Sequence, residues 1–185
     1  DPELSRGLGD VYKRQIDIFA HVRRGGHILG ICGGYQMLGN TIRDPQKIEG
    51  DITETPGLGL LNVSTTMLPE KKLQNVSGKH ISSGTEISGY EMHIGKTIGP
   101  DCKNPLLMID GKGSGAVGTN NRISGCYLHG MFASDTFRSK FLHNLNSISV
   151  LSDYQGSVNN TLDELAKYLH QNMDTRQFLN LTRSL

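Results

Sequence analysis

The richest run for chemistry is Gly30-Ile31-Cys32-Gly33-Gly34, of the form Gly-x-Cys-x-Gly. An apolar stretch, His27–Ile31, precedes it, and a helix-compatible stretch, Gly34–Asn40, follows. A nucleophile set between a strand and a helix must sit on a sharp turn so that its side chain points outward, and small residues are wanted two places before and after it. Gly30 and Gly34 hold those places. The first N–H groups and the dipole of the following helix favour a thiolate at Cys32. The backbone N–H of Gly33 is then aimed where an oxyanion forms during attack on a carbonyl. The alternative is a buried core cysteine in a Gly-rich turn.

A thiol nucleophile works best beside a base. The chain has 7 His, and His129 stands out. It follows Gly125-Cys126-Tyr127-Leu128 and precedes Gly130, at the carboxyl end of a strand pattern, the edge where α/β active sites gather. A strand-end His bonded to backbone is the competing reading. His93, in Gly89-Tyr90-Glu91-Met92-His93-Ile94-Gly95, is the second candidate base. His21 and His170 fall in predicted surface helices. No two Cys or His show zinc-ligand spacing, so no metal site is expected. Cys102, in a polar loop, and Cys126, in a strand, read as plain residues.

The elements that position these groups follow from periodicity. Residues 16–26 predict a helix with Ile16, Phe19 and Ala20 inward, stopped by Gly25-Gly26. Residues 27–31 predict a buried strand and 34–40 a helix. Residues 43–59 read as loop, broken by Pro45, Gly50, Pro56 and Gly57. Segments 60–68, 73–81 and 85–98 read as antiparallel or edge strands, with Pro69-Glu70-Lys71-Lys72 as a solvated turn. Two more strands are expected in 104–111 and 121–130. Residues 134–145 suit a helix capped by Ser134 with Phe137, Phe141, Leu142 and Leu145 inward. A last helix is expected over 161–173, with Thr161 and Glu164 as a capping box and Leu162, Leu165, Ala166 and Leu169 as its apolar stripe.

Composition narrows the classes. At 185 residues the chain fits one domain, with 36% hydrophobic and 20% charged residues. Lys plus Arg (19) balances Asp plus Glu (18), which leaves no basic field for nucleic acid or anionic lipid. No apolar run approaches the roughly 18–20 residues of a membrane span. The 3 Cys are odd in number and widely spaced, which suits a reducing cytoplasm better than a disulfide framework. Residues 1–15 show no apolar period and resemble a translated adapter scar; they are set aside as non-native or disordered.

These residues together resemble the class I glutamine amidotransferase domain of the cobyric acid synthase family. The likeness is carried by GGHILGICGGYQMLGNTIRDP (25–45), PGLGLLNVSTTML (56–68), GYEMHIGKT (89–97), GCYLHGMF (125–132) and TLDELAKYLHQNMD (161–174). Cobyrinic acid diamide synthases share the domain, but their nucleophile segment typically differs from CGGYQMLG. The resemblance implies an α/β, flavodoxin-like sheet flanked by helices, with added antiparallel strands. It implies a domain over 16–175, a tail over 176–185, and N-terminal strands missing ahead of Ile16. Cys32 matches the nucleophile and His129 its base; Gly33 matches an oxyanion donor, and Gln36 a position that contacts bound glutamine. Tyr90, Glu91 and His93 lie in a family signature near the site and receive no firm role.

The implied function is glutamine hydrolysis that supplies ammonia to a covalently linked synthetase domain. That domain, with ATP and magnesium, amidates corrin carboxylates on the way to cobalamin; no cofactor is implied for the amidotransferase domain itself. Three departures matter. Met131 stands where many class I amidotransferases carry Glu, so the acid that orients the base is missing from its usual place, and Glu91 is a guess for it. The family's preceding loop supplies a second oxyanion donor, and nothing in 1–15 resembles it. The synthetase domain is absent. Loss of one oxyanion donor costs about 10²–10³ in rate, so the chain alone is expected to be weak or inactive. The competing classes are another Cys-His hydrolase on a similar sheet and a non-catalytic docking module.

Overall fold

An unbroken apolar run is the signature of a strand covered on both faces, and ILGI forms β1, Ile28–Ile31. It pairs in parallel with β9, Ile123–Cys126, with Ile31 opposite Cys126. The short β8, Ala116–Val117, adds antiparallel to β9 and completes a three-stranded sheet in the order β1-β9-β8. The computed structural model describes residues 14–147 and 153–174. Most of the segment 1–15 and all of the tail 176–185 lie outside the described residues.

A second, seven-stranded sheet runs β10-β5-β4-β2-β3, with β6 on β4 and β7 on β6. Its members are β2 (Thr41–Arg43), β3 (Glu54–Pro56), β4 (Ser64–His80), β5 (Glu86–Ile98), β6 (Leu107–Ile109), β7 (Lys112–Ser114) and β10 (Leu128–His129). The expected loop 43–59 therefore contains a strand. Glu54–Pro56 folds back on Thr41–Arg43, and Arg43 reaches Glu54 at 3.2 Å. The expected turn at 69–72 is absent. β4 runs through it as one strand of 17 residues, and its pairing with β5 slips between Thr66 and Lys71. A register slip is where a sheet tolerates Pro69, which has no N–H to donate.

Two apolar clusters hold the sheets and helices together. Tyr35, Leu38, Leu61, Val63, Ile123 and Tyr127 seat helix α2, Gly33–Leu38, on the three-stranded sheet. The Tyr35 ring lies directly on the strand: a Cβ at Gly125 would stand 2.2 Å from its Cδ2. Val76, Ile87, Leu107, Leu128, Met131 and Phe137 form the other cluster, under helix α3, Asp135–Asn144. Ser134 caps α3 as expected, its Oγ accepting from the Phe137 N–H at 3.3 Å. Phe137 is buried and Phe141 packs against the cluster, whereas Leu145 is exposed, because it follows the last helical turn.

The two outer helices differ more from expectation. Helix α1 covers residues 14–23 and so includes Arg14 and Gln15 of the segment set aside. Gly25, at φ +82°, ends that helix. Ile16 is 64% exposed, and Val22 is the residue that packs on the core. Helix α4 spans Tyr154–Asn172, well upstream of the expected start. Asp153 caps it by accepting from the Gly156 N–H at 2.8 Å, and Thr161 donates back to the Ser157 carbonyl instead of capping. Its stripe is exposed, with Leu162 at 56% and Leu165 at 51%. Local sequence can mark an amphipathic face but not whether anything covers it. Among the described residues no helix is long and apolar enough to cross a membrane.

One buried imidazole gives the fold a pH dependence. His80 ends β4, its Nδ1 2.8 Å from Ser83 Oγ and its ring edge-on to Phe137. Burial holds it below the ordinary His range. The unfolded chain therefore takes up this proton first, and stability falls as the pH drops through about 6.5. Urea midpoints between pH 7.5 and 5 should fall more steeply for the natural chain than for His80→Asn. Parallel slopes would exclude this role.

Candidate active site

Cys32 stands between β1 and α2 with φ 55° and ψ −118°, a left-handed backbone that a side chain rarely adopts. Such strain persists only where the surroundings over-determine it, and it clusters at functional turns. Here the surroundings are identifiable. The Cys32 N–H donates to the Cys126 carbonyl at 2.9 Å, which extends the β1–β9 ladder by one rung. Gly30 is forced: a Cβ there would meet the Gly34 carbonyl carbon and oxygen at 2.8 Å. Gly34 itself is not crowded, since a Cβ there meets nothing within 4 Å. The two-glycine rule read from the sequence thus holds on the strand side, and Gly34 matters as the backbone that Gly30 approaches.

The helix after the turn is six residues long, so its free N–H groups count for more than any long-range dipole. Gln36 N–H donates to the Cys32 carbonyl at 3.2 Å. That is the first bond of the helical pattern and leaves the Gly33 N–H unused by the helix.

The thiol and the imidazole are both held against β5. Cys32 Sγ donates to the Met92 carbonyl at 3.3 Å. His129 pairs with Tyr90 across β10 and β5, and the two rings stack at 4.9 Å with 5° between their planes. Cys32 and His129 thus meet one strand two residues apart, at Met92 and Tyr90. His129 Nε2 is buried and, among the described residues, is the side-chain polar atom in that position without a hydrogen-bond partner. A buried nitrogen left open in this way is costly, and groups of this kind include catalytic ones.

The remaining predicted residues divide by face. Glu91 is buried and pairs with Leu128, so it lies on the side of β5 away from the His129–Tyr90 stack. Its carboxylate meets Ser114 Oγ at 3.5 Å, which removes the basis for Glu91 as the acid orienting His129. Met131 is fully buried in the cluster under α3, so the position two residues after His129 serves packing. The second candidate base, His93, donates from Nδ1 to the Gly95 carbonyl at 3.1 Å and stacks on Tyr127 at 3.8 Å. Gln36 is tied into the structure, its Nε2 donating to the Ile94 carbonyl at 3.1 Å and to Tyr127 Oη at 3.3 Å.

Sequence reasoning missed Tyr127, Thr97 and Thr65. The Tyr127 phenol is bonded to Thr97 Oγ1 at 2.5 Å, and Thr97 Oγ1 to Thr65 Oγ1 at 2.7 Å. Burial pushes the Tyr127 phenol up and the nearby Cys32 adds to this, while bonds to Thr97, Gln36 and Thr65 oppose it. The spacing of these residues along the chain carried no signal; only the pairing of β4 with β5 unites them. Cys126 is buried, its thiol pushed up to about 11 by that burial. Cys102 Sγ lies 3.8 Å from Tyr35 Oη. A cavity of about 550 Å³ lined by Leu29, Ile81, Phe132 and Phe141 lies elsewhere, and neither Cys32 nor His129 lines it.

Comparison with known proteins agrees with this architecture. Residues 8–137 match the model of the CobB/CobQ-like glutamine amidotransferase domain. The chain is 50% identical over 168 residues to a cobyric acid synthase of Cereibacter sphaeroides, covering 91% of the chain and 35% of that protein. It is 47% identical to a cobyric acid synthase of Rhodobacter capsulatus and 46% to that of Bradyrhizobium diazoefficiens, each over 168 residues and with the same coverage. The chain therefore spans about a third of the length of these relatives. With its mixed sheets flanked by helices and a strained cysteine at the strand-to-helix corner, the chain belongs to the CobB/CobQ-like glutamine amidotransferase domain family.

Proposed function

We propose that this domain hydrolyses glutamine at Cys32 and supplies the ammonia to a cobyric acid synthase-type synthetase. The observation that carries this reading is the strained Cys32, its thiol held against the strand on which His129 stacks. His129 takes the Cys32 thiol proton, and the thiolate attacks the side-chain carboxamide carbon while the carbonyl electron pair moves to oxygen. The Gly33 N–H, unused by α2, serves as a main-chain donor to that oxyanion. The oxyanion collapses, the C–N bond breaks, and His129 gives the departing nitrogen its proton, so ammonia leaves and a glutamyl thioester remains. His129 then takes a proton from water. The hydroxide displaces the thiolate and releases glutamate.

The open, buried His129 Nε2 supports a proton-carrying role for this imidazole. The base works as half of a dyad, since Met131 is packed away and Glu91 lies on the other face. Tyr90 fixes the imidazole plane by stacking, and Gln36 faces the substrate. Neither ATP nor magnesium enters these steps; both serve the linked synthetase, which would pass the ammonia to corrin carboxylates. Three free cysteines fit a cytoplasmic setting.

The test is selective labelling. A glutamine-shaped chloroketone should alkylate Cys32 and spare Cys102 and Cys126, with glutamine protecting. Labelling spread over all three thiols, or indifference to glutamine, would remove the reading.

A further inference from the structure

The Gln36 side chain is held by donor bonds alone. Its Nε2 carries two hydrogens, and two acceptors face it, the Ile94 carbonyl at 3.1 Å and Tyr127 Oη at 3.3 Å. The carbonyl can only accept, so the nitrogen must point inward, and the opposite orientation would set two oxygens against each other. The Oε1 is left as a free acceptor: among the described residues it makes no hydrogen bond.

The phenol that takes the second hydrogen is itself fixed. Its oxygen accepts from Gln36 and lies 2.5 Å from Thr97 Oγ1, a hydroxyl pair in which either oxygen can donate. Thr97 in turn meets Thr65 Oγ1 at 2.7 Å, and Thr65 is 1% exposed. Gln36, Tyr127, Thr97 and Thr65 are thus joined in one hydrogen-bonded network. The Tyr127 ring is clamped as well, between His93 at 3.8 Å and the edge of Tyr35 at 5.2 Å. This anchor spans α2, β4, β5 and the end of β9, so the amide cannot turn without breaking it.

We propose that Tyr127 is a positioning residue that acts through Gln36, fixing its amide so that Oε1 presents an acceptor to the ligand and selects groups bearing N–H over carboxylates. The proposal rests on the reading that Cys32 is the site of glutamine attack. On that reading the ligand class follows from the chemistry. A carboxamide or an ammonium group satisfies a fixed acceptor, and a second carboxylate does not.

The experiment uses the 185-residue chain and the concentration of glutamine that halves Cys32 alkylation by iodoacetamide. Half-protection is a ratio, so a change in thiol reactivity cancels. Tyr127→Phe keeps the ring stack and removes the phenol oxygen. It should raise the half-protecting glutamine concentration about 5- to 10-fold, the worth of one hydrogen bond. Thr97→Val, which leaves the phenol but removes its hydroxyl partner, should move that concentration in the same direction and carries the test if Tyr127→Phe does not fold. The decisive arm is the double variant. Combined with Gln36→Ala, Tyr127→Phe should have no further effect, whereas a merely structural role would add to it. Additive effects, or an unchanged half-protecting glutamine concentration in Thr97→Val, overturn the proposal. Failure of glutamine to protect the natural chain overturns the glutaminase reading and the proposal with it.

Discussion

Cys32→Ala should lower glutamine hydrolysis by about 10⁴-fold or more, the scale on which removing a covalent nucleophile acts. No neighbour can substitute. Cys126 is buried in β9, and the Cys102 thiol faces Tyr35. His129→Asn should cost about 10²–10⁴, because the thiol remains but the leaving nitrogen loses its proton donor. Both are read as ammonia release, from the 185-residue chain and from the same chain fused behind a relative's upstream sequence. The alanine must not disturb the fold, so its melting temperature should match or exceed that of the natural chain: the strained φ of 55° remains, but a polar group is removed. A Cys32→Ala protein that keeps a tenth of the rate would place the chemistry elsewhere.

Gly89→Ala should unfold the site from the opposite side. A Cβ at residue 89 would stand 1.9 Å from the His129 carbonyl oxygen and 3.1 Å from Leu128 Cδ1. The first contact is with backbone, so no rotamer relieves it. β10 must leave β5, and it carries His129 away from Tyr90. Overpacking of this kind costs about 2–3 kcal/mol, and a displacement near 1 Å at a catalytic group is worth about 10²-fold in rate. Gly50→Ala is the control, since a Cβ there meets nothing within 4 Å. Chemical denaturation should show the loss in Gly89→Ala and a change within about 0.5 kcal/mol in Gly50→Ala. Equal stabilities would mean that β5 and β10 can separate freely, and the stack on His129 would lose its significance.

A variant at Gly125 would act by yet another route, through the Tyr35 ring 2.2 Å away. Gly89 and Gly125 fall within strand patterns in the sequence, and Gly50 within the expected loop. Their consequences differ because one faces a carbonyl, one an aromatic ring, and one open space. Pairing register decides this, and register joins segments far apart in the chain.

What the sequence determined by itself is local. The strand, the cysteine turn and the helix over residues 28–38 are set by an apolar run, a glycine pair and the residues between them. The Ser134 cap and the buried Phe137 follow from one turn of helix. Tertiary structure alone decided the rest. It carried β4 through Pro69 as one strand, and it turned Glu91 away from His129. It also gathered Thr65, Thr97, Tyr127 and Gln36 into one chain of hydrogen bonds. The physical reason is range. Caps, turns and periodicity act over a few residues, whereas the face on which a strand residue lies, and the partner its polar atom finds, depend on a neighbouring strand that the local sequence does not contain.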